Sequence, residues 1–382
     1  MKSFDVIVAG VGSMGAAACD QLARRGVSVL GLERFQIGHS KGSHLGQSRL
    51  IRKAYFEHPD YVPLLKRAYE LWDELEADTG TKLYHPTGLL YYGRPDQELI
   101  AGSLLSASLY NIPFQEISRK EQLHLFPAFT LPEDYLTYIE PDAGFLRPEK
   151  SIQVMADRAK FHGADLHIDE WMTDFVRSGD GWSVHTNRNV YSCQKLIITA
   201  GAWSTQFLHQ LHVPLKVTRQ VLGWLDKTSG PDCSLQNLPC WILADDHYGG
   251  AFYGFPELPE GDFGSPGGLK IAHHYPGFEI RPEEKDQKLT VEEKEALDYG
   301  KDKYLGAIGG SWATFQHCMY TMSPDEHFII DQVPFSENVW FAAGFSGHGF
   351  KFSPVIGEIM ADLALTGTTS LPVQFLSAAR FS

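Results

Sequence analysis

FDVIVAGVGSMGAAACDQLARRGVSVLGLER, residues 4–34, is the stretch on which the fold turns. Phe4–Ala9 is a short apolar run rich in β-branched residues, of the length of a buried strand. It leads into Gly10-Val11-Gly12-Ser13-Met14-Gly15, a G-x-G-x-x-G turn, and then into a helix-like stretch ending at Gly26. A second strand, Val27–Leu32, stops at the acidic Glu33. Strand, glycine turn, helix, strand and acid follow one another in the order that a dinucleotide site requires. The glycines permit a tight turn and let backbone approach a pyrophosphate, whose charge then sits at the helix N-terminus. Glu33 is expected to accept hydrogen bonds from the adenosine ribose hydroxyls. The contacts expected at this end are Gly10, Gly12, Ser13, Met14, Gly15, Glu33 and Arg34.

Outward from that unit, 382 residues are enough for two domains, or for one large domain carrying an inserted lobe. A hydrophobic content of 43% and an aromatic content of 12% suit a well-packed globular chain. No apolar run reaches the length of a membrane span, and Asp5 interrupts any signal-peptide pattern at the start. The final Ala379-Arg380-Phe381-Ser382 does not match the peroxisomal tripeptide. A net charge of −14 argues against a nucleic-acid partner, because a phosphate backbone calls for a basic face. Five scattered cysteines, none in a C-x-x-C pair, fit a reducing compartment better than a disulfide framework. A cytoplasmic protein with no membrane partner is the expectation.

Further along, Gly38–Arg52 reads as an ordered loop whose polar side chains face whatever the first helix holds. Tyr61–Asp78 carries an apolar stripe at Leu65, Ala68, Trp72 and Leu75, as an amphipathic helix does. Residues 82–140 shift to strands and turns around Leu83–Tyr92, then Pro127, Pro132 and Pro141, and suggest a lobe inserted into the first domain. Lys195–Trp203, KLIITAGAW, is a buried strand ending in a glycine turn that returns to the same cofactor. Residues 213–280 resemble an aromatic-rich β-meander, with Pro256–Gly268 as a turn-rich loop, and Glu283–Tyr304 reads as a charged helix. Asn338–Gly367 is strand, glycine-rich turn and helix, closing the sheet that the first strand begins.

The chain resembles the monomeric sarcosine oxidase and N-methyltryptophan oxidase family, within the D-amino-acid-oxidase-like flavoproteins. The carriers are the N-terminal fingerprint, GSHLGQSRLIRKAY (42–55), TAGAW (199–203), FYGFP (252–256), GLKIAHH (268–274), CMYTMSPDEHFIID (318–331) and GFSGHGFKFSPVIGE (344–358). The fold this implies is α/β plus α+β. A Rossmann-like FAD-binding domain (1–82, 145–212 and 323–382) carries an inserted β-sheet substrate domain (83–144 and 213–322). The activity implied is oxidative demethylation of sarcosine or a related N-methyl amino acid, with O₂ as the electron acceptor and a monomer as the working unit. N-methyl-L-tryptophan and fructosyl amino acids are the alternative substrates.

The resemblance also assigns residues. Cys318 carries FAD through a thioether to the 8α-methyl carbon of the ring, a role that a lone cysteine could not suggest. Lys270, in an otherwise apolar stretch, is the electrostatic site of oxygen activation. Arg52 and Lys351 clamp the substrate carboxylate, for which a forked guanidinium is well suited. Arg49 lies close to the flavin ring, while Tyr253 and His274 line the amine end. Ser43, Gly347, His348 and Lys351 are expected near the ring as well.

The chain departs from the family pattern at His44-Leu45 and Gln47-Ser48, in the length of Pro256–Gly268, which is expected to border the substrate mouth, and at Leu243–Asp246. Three rival classes are weaker. A metal enzyme would rest on His209-x-x-His212, His273-His274 or Asp245-Asp246-His247, without the partners such sites require, and no metal is expected. Gly344-Phe345-Ser346-Gly347-His348 ends in histidine where the serine-hydrolase elbow needs glycine. A non-catalytic dinucleotide-binding protein would not retain flavin covalently.

Overall fold

A computed structural model describes residues 2–208 and 214–381. Its first strand, β1 (Lys2–Ala9), is followed by helix α1 (Ser13–Arg24) and strand β2 (Val29–Leu32), as the opening stretch predicts. Around β1 lies a parallel core, in the spatial order Asp165–His167, β2, β1, Val190–Ile198 and Val339–Ala343. An antiparallel hairpin, Met172–Ser178 with Gly181–Thr186, joins the outer half of Val190–Ile198. The last third of the chain therefore does complete the sheet begun at residue 2.

Small residues explain how closely the helices cover this sheet. From Met14 to Ala23 every residue of α1 is buried. The helix Ser353–Thr366 crosses it so closely that a Cβ on Gly357 would lie 2.5 Å from the backbone of Ala17. The buried Asp20 carboxylate, on α1, is held by two bonds from Arg158 at 2.6 and 2.9 Å. Pairing is what makes a charge tolerable at that depth.

A second, nine-stranded sheet draws on two separated parts of the chain. Leu89–Gly93 pairs in parallel with Cys240–Ala244, which binds the segment 89–140 to the segment 216–322. Two fourteen-residue strands, Lys216–Ser229 and Gly309–Met322, run antiparallel along one side of it. A small third sheet joins Arg49–Ile51, Gly144–Leu146 and Tyr84–His85. Among the described residues, no helix is long and apolar enough to cross a membrane.

Leu83–Tyr92 is strand, turn and strand, as its Pro86 and Gly88 suggest: Tyr84–His85 lies in the small sheet and Leu89–Gly93 in the large one. Two local expectations need correction. Pro256–Gly268 is not a plain loop. The strand Ala251–Leu258 continues through Pro256 because a register shift between Gly254 and Glu257 spares the proline a ladder bond. A short helix, Glu260–Phe263, follows it. Within Glu283–Tyr304 the long helix begins only at Val291, where Thr290 and Glu293 form a reciprocal cap.

Candidate active site

A large cavity, about 1240 Å³ with its open mouth, runs along the ends of β1 and β2 toward the second sheet. At one end lie Gly10, Gly12, Ser13, Met14, Glu33 and Arg34. The three glycines of the turn serve different ends. Gly10 has φ +96°, and a Cβ there would sit 2.6 Å from the Thr199 carbonyl. A Cβ on Gly15 would strike the carbonyl of Gly10, so this glycine serves the packing of α1 on the turn. A Cβ on Gly12 would meet nothing within 4 Å: at this position the missing side chain leaves open space in the cavity wall. Gly12 is also the N-cap, with no side-chain cap and no acidic residue in the first turn. The first N–H groups of α1 are thus available to an anion.

Glu33 is buried with each oxygen already oriented by backbone: Oε2 accepts from Val11 N–H and Oε1 from Phe35 N–H, both at 2.9 Å. Each retains capacity for a ribose hydroxyl. Arg34 lies against Trp171 and Trp203, both of which also line the cavity. Glycine turn, free helix N-terminus and anchored acid fit the ADP half of a dinucleotide.

The other end reaches Ser43, Arg49, Tyr320, Gly347 and Phe350. Here a smaller cavity, about 550 Å³ with its mouth, shares Arg49, Tyr320, Gly347 and Phe350 with the first. It adds Arg52, Glu57, Tyr253, His274, His348 and Lys351, so five of the six catalytic side chains expected from the sequence line it, Lys270 being the exception. None of residues 256–268 lines it.

Charge in the small cavity is strongly positive. Arg52 is 3% exposed and donates through Nη2 to both oxygens of Glu57, at 2.7 and 2.9 Å, and through Nη1 to the Ala54 carbonyl. Burial opposes its charge, but Glu57 together with Tyr91 and Tyr55 outweighs that and raises its pKa. Burial alone would lift the Glu57 carboxyl, yet Arg52, His348 and Lys351 bring it down to about 2. Lys351 donates to the His348 carbonyl at 2.7 Å, and burial together with Arg52 lowers its pKa to about 7. His274 is brought to about 4 by burial and is neutral at pH 7, with Nδ1 3.1 Å from the Tyr320 hydroxyl. Tyr253 stands beside Tyr320 on the same wall.

Lys270 lies behind this wall. It is 1% exposed, and its ammonium donates to the carbonyls of Gly46 and Ser48 at 2.6 and 2.7 Å. Burial and Arg49 lower its pKa well below the ordinary lysine value, with Glu149 opposing. Cys318 Sγ is buried, 3.3 Å from Arg49 Nη2 and 3.2 Å from the Ser43 carbonyl. Burial works against the Arg49 charge, but Cys318, Tyr253 and Glu149 hold its pKa above the ordinary value. Ser43 and Arg49 both line the large cavity, so the thiol abuts the end that would receive a ring.

Three contributors escape the sequence reading. Tyr320 lies one strand period beyond Cys318 and so shares its face, a signal that alternation alone could have supplied. Glu57 has no motif around it. Glu149, which accepts the N–H groups of Gly46 and Gln47 through one oxygen, is distant in sequence from both. The histidine pairs of the metal alternative separate: His273 bonds the Gly249 carbonyl and His274 bonds Tyr320. His209 and His212 lie outside the described residues. Asp245 is held by Tyr304, Tyr299 and the Tyr248 N–H, and Asp246 by Arg94. Among the described residues no group of three His, Cys, Asp or Glu side chains could hold a metal ion.

A dinucleotide cavity opening onto a cationic pocket defines an oxidoreductase that uses a bound cofactor. The chain belongs to the FAD dependent oxidoreductase family, which matches residues 5–363. It is 40% identical to the monomeric sarcosine oxidase of Streptomyces avermitilis, over 100% of this chain and 98% of that protein. It is 34% identical to the N-methyl-L-tryptophan oxidase of Salmonella dublin, over 99% of each. NikD, an amino acid oxidase of nikkomycin biosynthesis, shares the fold with a TM-score of 0.85 at 24% identity, over 99% of this chain and 98% of that one.

Proposed function

We propose that this chain is an oxidase of N-methyl amino acids, with sarcosine as the first candidate, releasing formaldehyde, the primary amino acid and hydrogen peroxide. The observation that carries this reading is the pair of buried cations, Arg52 and Lys351, in a small cavity that shares a wall with the dinucleotide cavity. A carboxylate entering there takes the place of Glu57 on Arg52 and gains Lys351 as a second partner. Neutral His274, oriented by Tyr320, accepts a hydrogen bond or a proton from the amine end. Tyr253, Ile242 and Phe350 close the pocket around the N-methyl group and exclude water. Bound FAD supplies the two-electron acceptor.

Lys270, held on the Gly46 and Ser48 carbonyls behind the wall, supplies positive charge toward the ring end when protonated, where negative charge develops on O₂. Cys318 would hold FAD covalently through Sγ, with Arg49 Nη2 3.3 Å from that sulfur. Acid precipitation tests that linkage: the yellow colour remains with the protein, whereas colour released to the supernatant refutes it. The relatives' name supports a monomer acting on a small amino acid, and the five scattered cysteines fit a reducing compartment such as the cytoplasm. A peroxide-coupled screen of sarcosine, N-methyl-L-tryptophan, L-proline and fructosyl-glycine tests the substrate. Sarcosine turns over fastest; preference for any of the others reassigns the substrate, and silence with all four refutes the activity.

A further inference from the structure

Gln47 stands where three chain segments meet over Lys270. It is 8% exposed, and its backbone lies in the left-handed region, at φ +70°. Nε2 donates to the carbonyls of Gly264 and Pro266, at 2.6 and 3.0 Å. Oε1 accepts from the indole N–H of Trp224 at 3.2 Å. Its own N–H and that of Gly46 donate to Glu149 Oε1, at 3.2 and 2.7 Å. Such complete satisfaction of a buried amide leaves it one orientation.

The carbonyls on either side of this residue, those of Gly46 and Ser48, are the ones that accept the Lys270 ammonium. Trp224, which donates to Gln47, is the cross-strand partner of Lys270 and lies 5.8 Å from its Nζ. Phe255 covers the ammonium from 4.1 Å. A buried ammonium has three N–H donors, and these carbonyls take two of them. These carbonyls flank residue 47 and are held as well by the Ser48 N–H and by Arg49 Nη1, so a change in the conformation at residue 47 disturbs the seat of the ammonium. The charged and titratable groups facing Lys270 are Arg49, Glu149, Cys318 and Cys240. Gln47 is neutral, so its replacement by leucine alters geometry without altering that charge set.

We propose that Gln47 is a positioning residue for the oxygen-reducing half of the reaction, fixing the Gly46 and Ser48 carbonyls so that the Lys270 ammonium is held in register with the ring end of the cavity. In that half O₂ takes two electrons from the reduced cofactor and two protons, and leaves as hydrogen peroxide. The same side chain ties segment 259–268 to this arrangement. The inference rests on the role given to Lys270 above.

The test compares wild-type, Gln47→Leu and Lys270→Met holoenzymes in stopped flow, with reduction by sarcosine without O₂ and reoxidation of dithionite-reduced protein measured separately. Hydrogen exchange across 259–268 is read on the same samples. Gln47→Leu slows reoxidation about tenfold, leaves reduction within about twofold and raises exchange in that segment. Equal slowing of both halves marks a merely structural residue and overturns the inference. Slow reoxidation in Lys270→Met with normal reoxidation in Gln47→Leu overturns it while sparing Lys270. Normal reoxidation in Lys270→Met removes the Lys270 reading and the inference with it. Should Gln47→Leu fail to hold FAD, Trp224→Phe removes the indole donor while leaving a smaller aromatic ring in its place. Reoxidation alone then slows about threefold, and no change overturns the inference.

Discussion

Glu57 occupies the guanidinium of Arg52 in the small cavity, both of its oxygens within 2.9 Å of one nitrogen. A substrate carboxylate and Glu57 therefore compete for the same donor. Glu57→Gln keeps the shape, weakens the competitor and leaves Arg52 and Lys351 with a stronger joint attraction for anions. Binding of propionate, a carboxylate without an amine, tightens about threefold to tenfold in this variant at pH 6. Titration of the flavin absorbance with propionate measures it; weaker binding than wild type shows that Glu57 supports the clamp rather than competing with it.

Lys351 makes that clamp sensitive to pH. Its pKa of about 7 lies below the ordinary lysine value because of burial and Arg52, so the free enzyme loses this charge as pH rises through neutrality. Only the ammonium pairs with a carboxylate. The propionate dissociation constant is flat below that pKa and rises about tenfold for each pH unit above it, until the higher pKa of the occupied site is passed. Lys351→Met binds propionate weakly at every pH, with no such slope.

Tyr320 orients His274 through a 3.1 Å hydrogen bond. Tyr320→Phe keeps the ring against Gly347, where a Cβ would lie 2.4 Å from it, and removes only the hydroxyl. The rate of anaerobic reduction falls about tenfold, in line with one lost hydrogen bond to a reacting group, while reoxidation is unchanged. A variant that reduces at the wild-type rate takes Tyr320 out of the reaction.

Arg49 and Cys318 are predicted to act together in attaching the cofactor. Cys318→Ala binds FAD that denaturation releases, and its band on a denaturing gel has no flavin fluorescence. Arg49→Met, which retains the thiol but lacks the cation beside it, gives a faint band that strengthens slowly with added FAD. Full fluorescence in Cys318→Ala would mean that another residue carries the bond.

How much of this was legible in the sequence follows from how local each feature is. The unit from Lys2 to Leu32 is contiguous and follows a strict pattern, so the residues alone place its strands, its turn and the acid that follows. The clamp residues Arg52 and Lys351 became legible only through motifs resembling a family, because nothing in their own neighbourhoods distinguishes them from surface charges. Glu57, Glu149 and the amide of Gln47 act across long separations in the chain, and no periodicity joins residue 47 to residues 224, 264 and 266. The segment Pro256–Gly268 misled for the same reason. Its composition announces turns, but its place on the Lys270 side of the site is set by contacts from distant residues, among them the bonds from Gln47 and from Arg147 to Asp262.

Oxidative removal of a methyl group from a secondary amino acid is tested most directly by the product balance of purified holoenzyme with sarcosine in air. Formaldehyde, glycine and hydrogen peroxide are expected in equal amounts; peroxide without formaldehyde, or neither, rules out demethylation.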